Sequence, residues 1–185
     1  KINLFMIQEK IQSSPETKST TLKWYAVYTK PRGEKKLQEA LGKKSIECYL
    51  PLLSEKKKWS DRYKIISSPL FASYIFVKID MQQDSLRVLQ EPNSVQFVQY
   101  MGKPAPIEDE VIEMIQIFLD EYPDKIKIEQ EAKLRKGNVL EIKKGPFAGR
   151  KVKIEKVKNQ YYVVVQLPML NRTVLMEVRK EDLAL

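Results

Sequence analysis

The sequence predicts a fold in two parts, mixed helices and strands first and a small all-β unit after them. Three observations carry this. Segments such as WYAVYTK (24–30) and LFASYIFVKID (70–80) are rich in aromatic and β-branched residues, the pattern of a strand. EDEVIEMIQIFLDEY (108–122) repeats its apolar residues at helical spacing. From Lys136 onward every signal is short strand or turn, and about fifty residues of that pattern fit a small barrel.

Taken in order, residues 8–21 (QEKIQSSPETKSTT) read as a disordered leader. The sequence begins at Lys1 rather than Met, with Met6 a candidate start, and residues 1–22 are assigned to a leader or an expression remnant. Pro31 ends the first strand, and Gly33 to Lys44 is a helix with Leu37, Ala40 and Leu41 on one stripe. IECYLPLL (46–53) is a strand interrupted by Pro51. SEKKKWSDRYKIISSP (54–69) is a hairpin extension or a flexible loop, with a short strand at YKII. QDSLRVLQE (83–91) is a short helix closed by Pro92, and VQFVQY (95–100) is a further strand. MGKPAPI (101–107) is expected to be irregular because of its two prolines. In the 108–122 helix Glu108, Asp109 and Glu110 complement the N-terminal dipole, and Val111, Ile115, Phe118 and Tyr122 form the buried stripe. IKIEQEAKL (126–134) has no strong period and reads as a linker.

The chain of 185 residues has 43% apolar residues, enough for a core, and a formal charge of +9. The charge is unevenly placed. Residues 23–68 carry 12 basic and 5 acidic side chains, residues 69–127 carry 5 and 10, and residues 128–185 carry 13 and 7. Two basic blocks flanking an acidic one point to two working surfaces and to partners with phosphate backbones or acidic faces. Histidine is absent, which removes His general bases, Ser-His and Cys-His nucleophile pairs and imidazole metal ligands. The single cysteine, Cys48, lies in an apolar run and reads as a small buried side chain. A lone cysteine forms no intramolecular disulfide, so a reducing, cytoplasmic setting is expected. No apolar run approaches the ~20 residues of a membrane span. With no paired-carboxylate or phosphate-loop motif either, neither an enzyme nor a metal or cofactor site is expected.

In KGNVLEIKKGPFAGRKVKIEKV (136–157), Gly145 and Gly149 permit an unusual turn, Pro146 fixes it, and Phe147 can cover the open end of a small barrel. This segment resembles a KOW motif. The segment WYAVYTKPRGEKKLQEAL…CYLP…WSDR…SPLFASYIFVKID resembles the N-terminal domain of NusG-type transcription factors, and the two patterns stand in that family's order. Within the family, the WYxxYTKxRxE opening and the WSDR…PLFxxYIF block are most similar to the specialised RfaH and UpxY-type antiterminators. The resemblance implies an α+β domain over 23–124, a mostly antiparallel sheet flanked by helices. A linker follows at 125–134, and then a five-stranded SH3-like KOW barrel at 135–185. RfaH carries an acidic residue before its PLF block that pairs with a helical form of the second domain; here Ser68 stands there. QYYVVVQL (160–167) is dense in strand-favouring residues, so a β second domain without that switch is expected.

The resemblance also implies sites. An apolar patch facing the clamp helices of the RNA polymerase β′ subunit would involve Tyr28, Phe71, Tyr74 and Phe76, with Tyr28 and Phe71 the expected surface anchors; ordinary sheet core is the alternative. Lys30, Arg32, Lys35 and Lys36 would meet the non-template DNA strand, unless they are a solvated helix face. Lys56, Lys57, Lys58 and Arg62 interleave with Trp59, which suits backbone contact plus base stacking, on a single strand or on upstream duplex DNA. In the second domain Phe147, Met169 and Leu170 would face a small-subunit ribosomal protein or Rho, with Leu167 and Leu175 as barrel core. The expected function is a monomeric, non-enzymatic elongation and antitermination factor that reduces pausing or termination at specific operons. The alternatives are a general NusG-like coupling factor and a KOW-type RNA-binding protein acting on ribosomes or structured RNA.

Overall fold

In a computed structural model, the structure describes residues 21–59, 61–129, 137–145, 147–157 and 159–183. Residues 1–20 of the expected leader, residues 130–134 of the expected linker, and Pro146 lie outside the described residues.

The first half is built around β1 (Lys23–Thr29). It pairs antiparallel with β5 (Tyr74–Ile79) on one side and with β6 (Ser94–Phe97) and β9 (Pro106–Ile107) on the other, while β2 (Glu47–Tyr49) extends the sheet beyond β5. Alternation along β1 sends side chains to two cores. Tyr25 and Val27 pack with Ile75, Val77, Leu37 and Leu41 of α1 (Glu34–Lys43) and Val88 of α2 (Met81–Leu89). Trp24 and Ala26 point the other way, to Phe76, Ile107 and the Ile112, Ile115 and Phe118 face of α3 (Asp109–Glu121). Leu37 and Leu41 are fully buried, which contributes roughly 1.5–3 kcal/mol each. The stripe expected on α3 holds at Ile115 and Phe118. Ile112 takes the third buried place, and Val111 and Tyr122 are half-buried at the two ends.

Three expected elements are divided by local chemistry. IECYLPLL splits at Pro51, which has no N–H for a ladder, into β2 and β3 (Leu52–Lys58), which lie in different sheets. The strand expected over 70–80 begins only at Tyr74. Ahead of it Ser73 takes φ 66°, the Leu70 N–H donates to Pro51 O at 2.8 Å, and the Tyr74 N–H donates to Phe71 O at 3.2 Å. VQFVQY divides after Phe97, and β7 (Gln99–Tyr100) then turns through Met101 (φ 51°) and Gly102 (φ 80°) to β8 (Lys103–Pro104). MGKPAPI, expected to be irregular, therefore holds two strands of two residues each, with Pro104 and Pro106 in edge positions where a missing donor is tolerated.

The basic run 54–69 is a regular hairpin. β3 pairs with β4 (Tyr63–Pro69) from Leu52 opposite Pro69 to Lys58 opposite Tyr63. Trp59 and Arg62 close its tip with two mutual backbone hydrogen bonds, 2.8 and 3.2 Å.

The second half is one antiparallel sheet of five strands in the order β10-β14-β13-β12-β11. These are β10 (Ile126–Glu129), β11 (Asn138–Glu141), β12 (Lys151–Val157), β13 (Gln160–Leu167) and β14 (Arg172–Val178). Two expectations change here. Among the described residues the sheet is not closed into a barrel; Ile142 makes an isolated bridge to Leu183 near the far edge. The fifth strand comes from the expected linker, because Ile126 and Ile128 alternate in register with Met176 and Val174. The two halves also share one apolar cluster. It runs from Trp24, Phe71 and Phe118 to Phe147, Val152, Val163 and Met176.

α2 depends on its cap: Asp80 accepts from the backbone N–H groups of Gln82 and Gln83 at 2.9 and 3.2 Å. Asp80→Ala is expected to lower stability by about 1 kcal/mol, read as a shifted urea midpoint at unchanged slope.

Candidate functional site

The turn that leads from β1 into α1 is built for close approach. The Gly33 N–H donates to Lys30 O at 2.8 Å, and the Lys30 N–H donates to Asn93 O at 3.0 Å. A Cβ on Gly33 would sit 2.9 Å from Lys30 O and 3.1 Å from Asn93, so only glycine fits. Arg32 is held at φ 59°, a conformation that costs a non-glycine residue energy, and Lys30, Arg32, Lys35 and Lys36 are all exposed around it.

Glu34, the residue after Gly33, is buried in the first turn of α1, where the helix dipole favours a carboxylate. Its Oε1 accepts from the Ser73 N–H at 2.7 Å. The basic turn is thereby tied to the turn that carries Phe71 and Tyr74. Sequence reasoning did not single out Glu34; the signal was an acidic residue at a helix start immediately after an obligatory glycine.

The hairpin sorts its side chains by register. Lys58, Tyr63, Lys56, Ile65, Ser54 and Ser67 share one face, and Lys57, Lys64, Glu55 and Ile66 share the other. On the first face Lys56 Nζ lies 4.7 Å from the Tyr63 ring centre, while Tyr63 and Ile65 are 62% and 72% exposed. On the second face Lys57 is paired with Glu55 at 3.5 Å. The first face is therefore the more basic as well as the more apolar. Trp59, 58% exposed, and Arg62 stand at the tip. Seven residues per strand give the hairpin a reach of about 20 Å. Its base meets α1, where Lys35 Nζ donates to Ser67 O at 3.1 Å, so the two basic groups read separately from the sequence adjoin. Tyr63, Lys64 and Ile65 were not among the expected contact residues, although YKI alternates as a two-faced strand would.

The four residues of the expected polymerase patch separate. Tyr28 and Tyr74 are cross-strand partners with rings 5.4 Å apart, edge to face, and Tyr28 is partly exposed. With Gln96, Val98 and Gln99 they line an open cleft of about 470 Å³. Phe76 is fully buried under Tyr49 and Phe71. Phe71, expected as a surface anchor, is also buried: the turn at Ser73 folds it inward, edge-on to Phe76 at 5.8 Å.

In the second half Gly145 and Gly149 both take positive φ, 82° and 79°. Phe147 does not cap an open barrel end; it is buried against the first half, 5.4 Å edge-on to Phe118 and stacked on Tyr122 at 6.4 Å. Arg150 is paired with Glu113 of α3 at 3.0 Å beside it. The 3-10 turn Pro168–Leu170 lies along β7, next to the Tyr28–Tyr74 cleft. Leu170, expected as an exposed anchor, is buried there, and Met169 is half-buried.

Cys48 is half-buried, and burial, helped by Glu47, pushes its thiol above the usual range, which favours the protonated form. Among the described residues no three His, Cys, Asp or Glu side chains come together as a metal site, and no helix is long and apolar enough to cross a membrane.

The family model described as transcription termination factor nusG matches residues 22–116, just over half of the chain. The chain belongs to the NusG family of transcription factors. Among solved structures, that of Thermotoga maritima NusG, which concerns its domain interaction, is 23% identical. The match covers 88% of this chain and 96% of that one, with a TM-score of 0.48. A chain of the MjSpt4:Spt5 complex is 22% identical over 86% of this chain and 94% of that one, with a TM-score of 0.32.

The geometry of the hairpin sets an expectation for this NusG-family chain. Lys56→Ala/Lys58→Ala should flatten the dependence of log affinity for a single strand on log salt by roughly 1.4, at about 0.7 for each phosphate that is no longer neutralised. Tyr63→Ala should weaken binding about tenfold through reduced stacking, with less change in the salt slope. Fluorescence anisotropy with a labelled oligonucleotide at several salt concentrations reads both.

Proposed function

We propose that this NusG-family protein is an elongation and antitermination factor of the RfaH/UpxY-like kind. It binds transcribing RNA polymerase and shortens pauses or prevents termination at particular operons. The observation that carries this reading is one α+β unit with two distinct faces. The sheet has α1 and the basic hairpin base on one side, and the Tyr28–Tyr74 pair with α3 on the other.

The tyrosine pair is the contact with the clamp helices of the polymerase β′ subunit, an aromatic anchor beside a cleft of the sort that interface cores use. Tyr74 packs against the buried cluster that holds Phe71 and Phe76. Lys30, Arg32, Lys35 and Lys36 with the Lys56–Tyr63 face of the hairpin follow the nucleic acid of the bubble, either the non-template strand or the upstream duplex. Phosphate neutralisation supplies affinity, and exposed Trp59 and Tyr63 supply stacking. The protein performs no covalent chemistry; it changes how long the polymerase dwells at a pause.

The second half recruits a further protein, a small-subunit ribosomal protein or Rho, through the Phe147 and Met169–Leu170 face. That face is turned toward α3 and β7, so recruitment requires the halves to part.

Elongation by purified bacterial RNA polymerase across a pause site tests the reading. Pause half-lives should shorten when the protein is added, and the effect should vanish for Tyr28→Ala/Tyr74→Ala while the variant keeps its thermal midpoint within a few degrees. Unchanged pausing on every template, together with tight binding to structured RNA alone, would replace this reading with that of an RNA-binding protein.

A further inference from the structure

The segment read from the sequence as linker has a defined place. β10 follows α3 after only Tyr122 and the 3-10 turn Pro123–Lys125. It runs antiparallel along β14 in unbroken register, from Ile126 opposite Met176 to Glu129 opposite Thr173. Ile126 and Ile128 lie across from Met176 and Val174, both fully buried in the shared cluster. Between them Lys127 turns to the other face. Its Nζ donates to the Tyr162 hydroxyl at 3.2 Å and lies 5.2 Å from the ring centre, and that hydroxyl donates to Gln160 Oε1 at 2.8 Å.

Without β10, β14 would be the outermost strand of its sheet, a run RTVLMEV with one side of its backbone unpaired. Exposed, regular edges of that kind accept an added strand, with main-chain hydrogen bonds giving affinity and alternate side chains giving specificity. We infer that the β14 edge is a docking site for an extended segment of a partner protein, which Ile126–Glu129 occupies in cis. The cis occupant describes the ligand: β-branched residues at two alternate positions of one strand face, the first half-buried against the core as Ile126 is and the second exposed as Ile128 is, with a cation between them reaching the Tyr162 ring.

The same connection couples the edge to the packing between the halves. Four residues, 122–125, join α3 to β10, and fully extended they span at most about 14 Å. One of them, Tyr122, stacks on Phe147, and Lys125 Nζ lies 5.5 Å from the Tyr122 ring centre. α3 therefore cannot move far from the second sheet while β10 stays paired. A segment that replaces β10 on β14 releases the tether, and parting of the halves pulls β10 from the edge.

The test uses the full chain and a fluorescein-labelled peptide of residues 123–130, PDKIKIEQ, read by anisotropy. The peptide should bind Ile126→Ser/Ile128→Ser at least tenfold more tightly than the wild type, because the cis strand no longer competes. Tyr122→Ala should give an intermediate gain. A control peptide with proline at both isoleucine positions should bind none of the three. Tyr122→Ala leaves every residue of β10 and β14 in place, so it decides the question even if the double variant does not fold. Equal binding to all three proteins, binding to none, or equal binding of the control overturns the inference. A wild-type dimer that forms in place of peptide binding overturns it in favour of strand exchange with a second copy.

Discussion

The contact in which Phe147 meets Phe118 edge-on and stacks on Tyr122 is the point at which the two halves become one body. α3 can serve both because its apolar surface is wider than one sheet needs. Ile112, Ile115 and Phe118 are buried, while Val111, Met114, Ile117 and Leu119 are half-buried around the same cluster. An aromatic pair of this kind is worth about 0.5–1.5 kcal/mol beyond the area it buries, and a large aromatic side chain buries a great deal. The surrounding polar contact, Glu113 with Arg150, is partly exposed and contributes orientation more than energy. Phe71, Leu170 and the neighbourhood of Tyr28 and Tyr74 all take their surroundings from this one packing arrangement.

The charge distribution follows the architecture. Much of the acidic middle block is α3 and its approach: Asp109 at the helix start pairs with Lys78 at 3.1 Å, and Glu113 pairs across to Arg150. The basic block of the first half is concentrated on the α1 turn and the hairpin, where only Glu55 among the strand residues opposes it. A sheet with cores on both faces thus keeps a cationic side and an aromatic side apart, and Glu34 links them through the Ser73 turn.

How much of this was legible varies with the physics of each element. α1 and α3 could be read closely, since a helix declares its buried stripe within its own residues. The hairpin was legible as an alternative, and its two-faced sorting was not, because the register that puts Tyr63 beside Lys56 is a pairing between strands. The burial of Phe71 and Phe76 was ambiguous in sequence because an aromatic residue on a strand is equally suited to a core or to an interface. The linker reading of 126–134 failed at β10 because four residues, IKIE, carry too short a pattern to separate strand from coil until β14 is beside them.

By itself the sequence determined the helices, the strand-forming segments, the glycine turns at 145 and 149, the absence of histidine chemistry, and where the positive charge lies. These are properties of local periodicity, backbone freedom and composition, and they survive without any long-range contact. Only the tertiary structure decided that Phe147 and Leu170 face inward, that β10 completes the second sheet, and that α1 and the hairpin form one surface. Each of those depends on which distant segment lies alongside, and in a packed interior that is set by the fit between surfaces rather than by either surface alone.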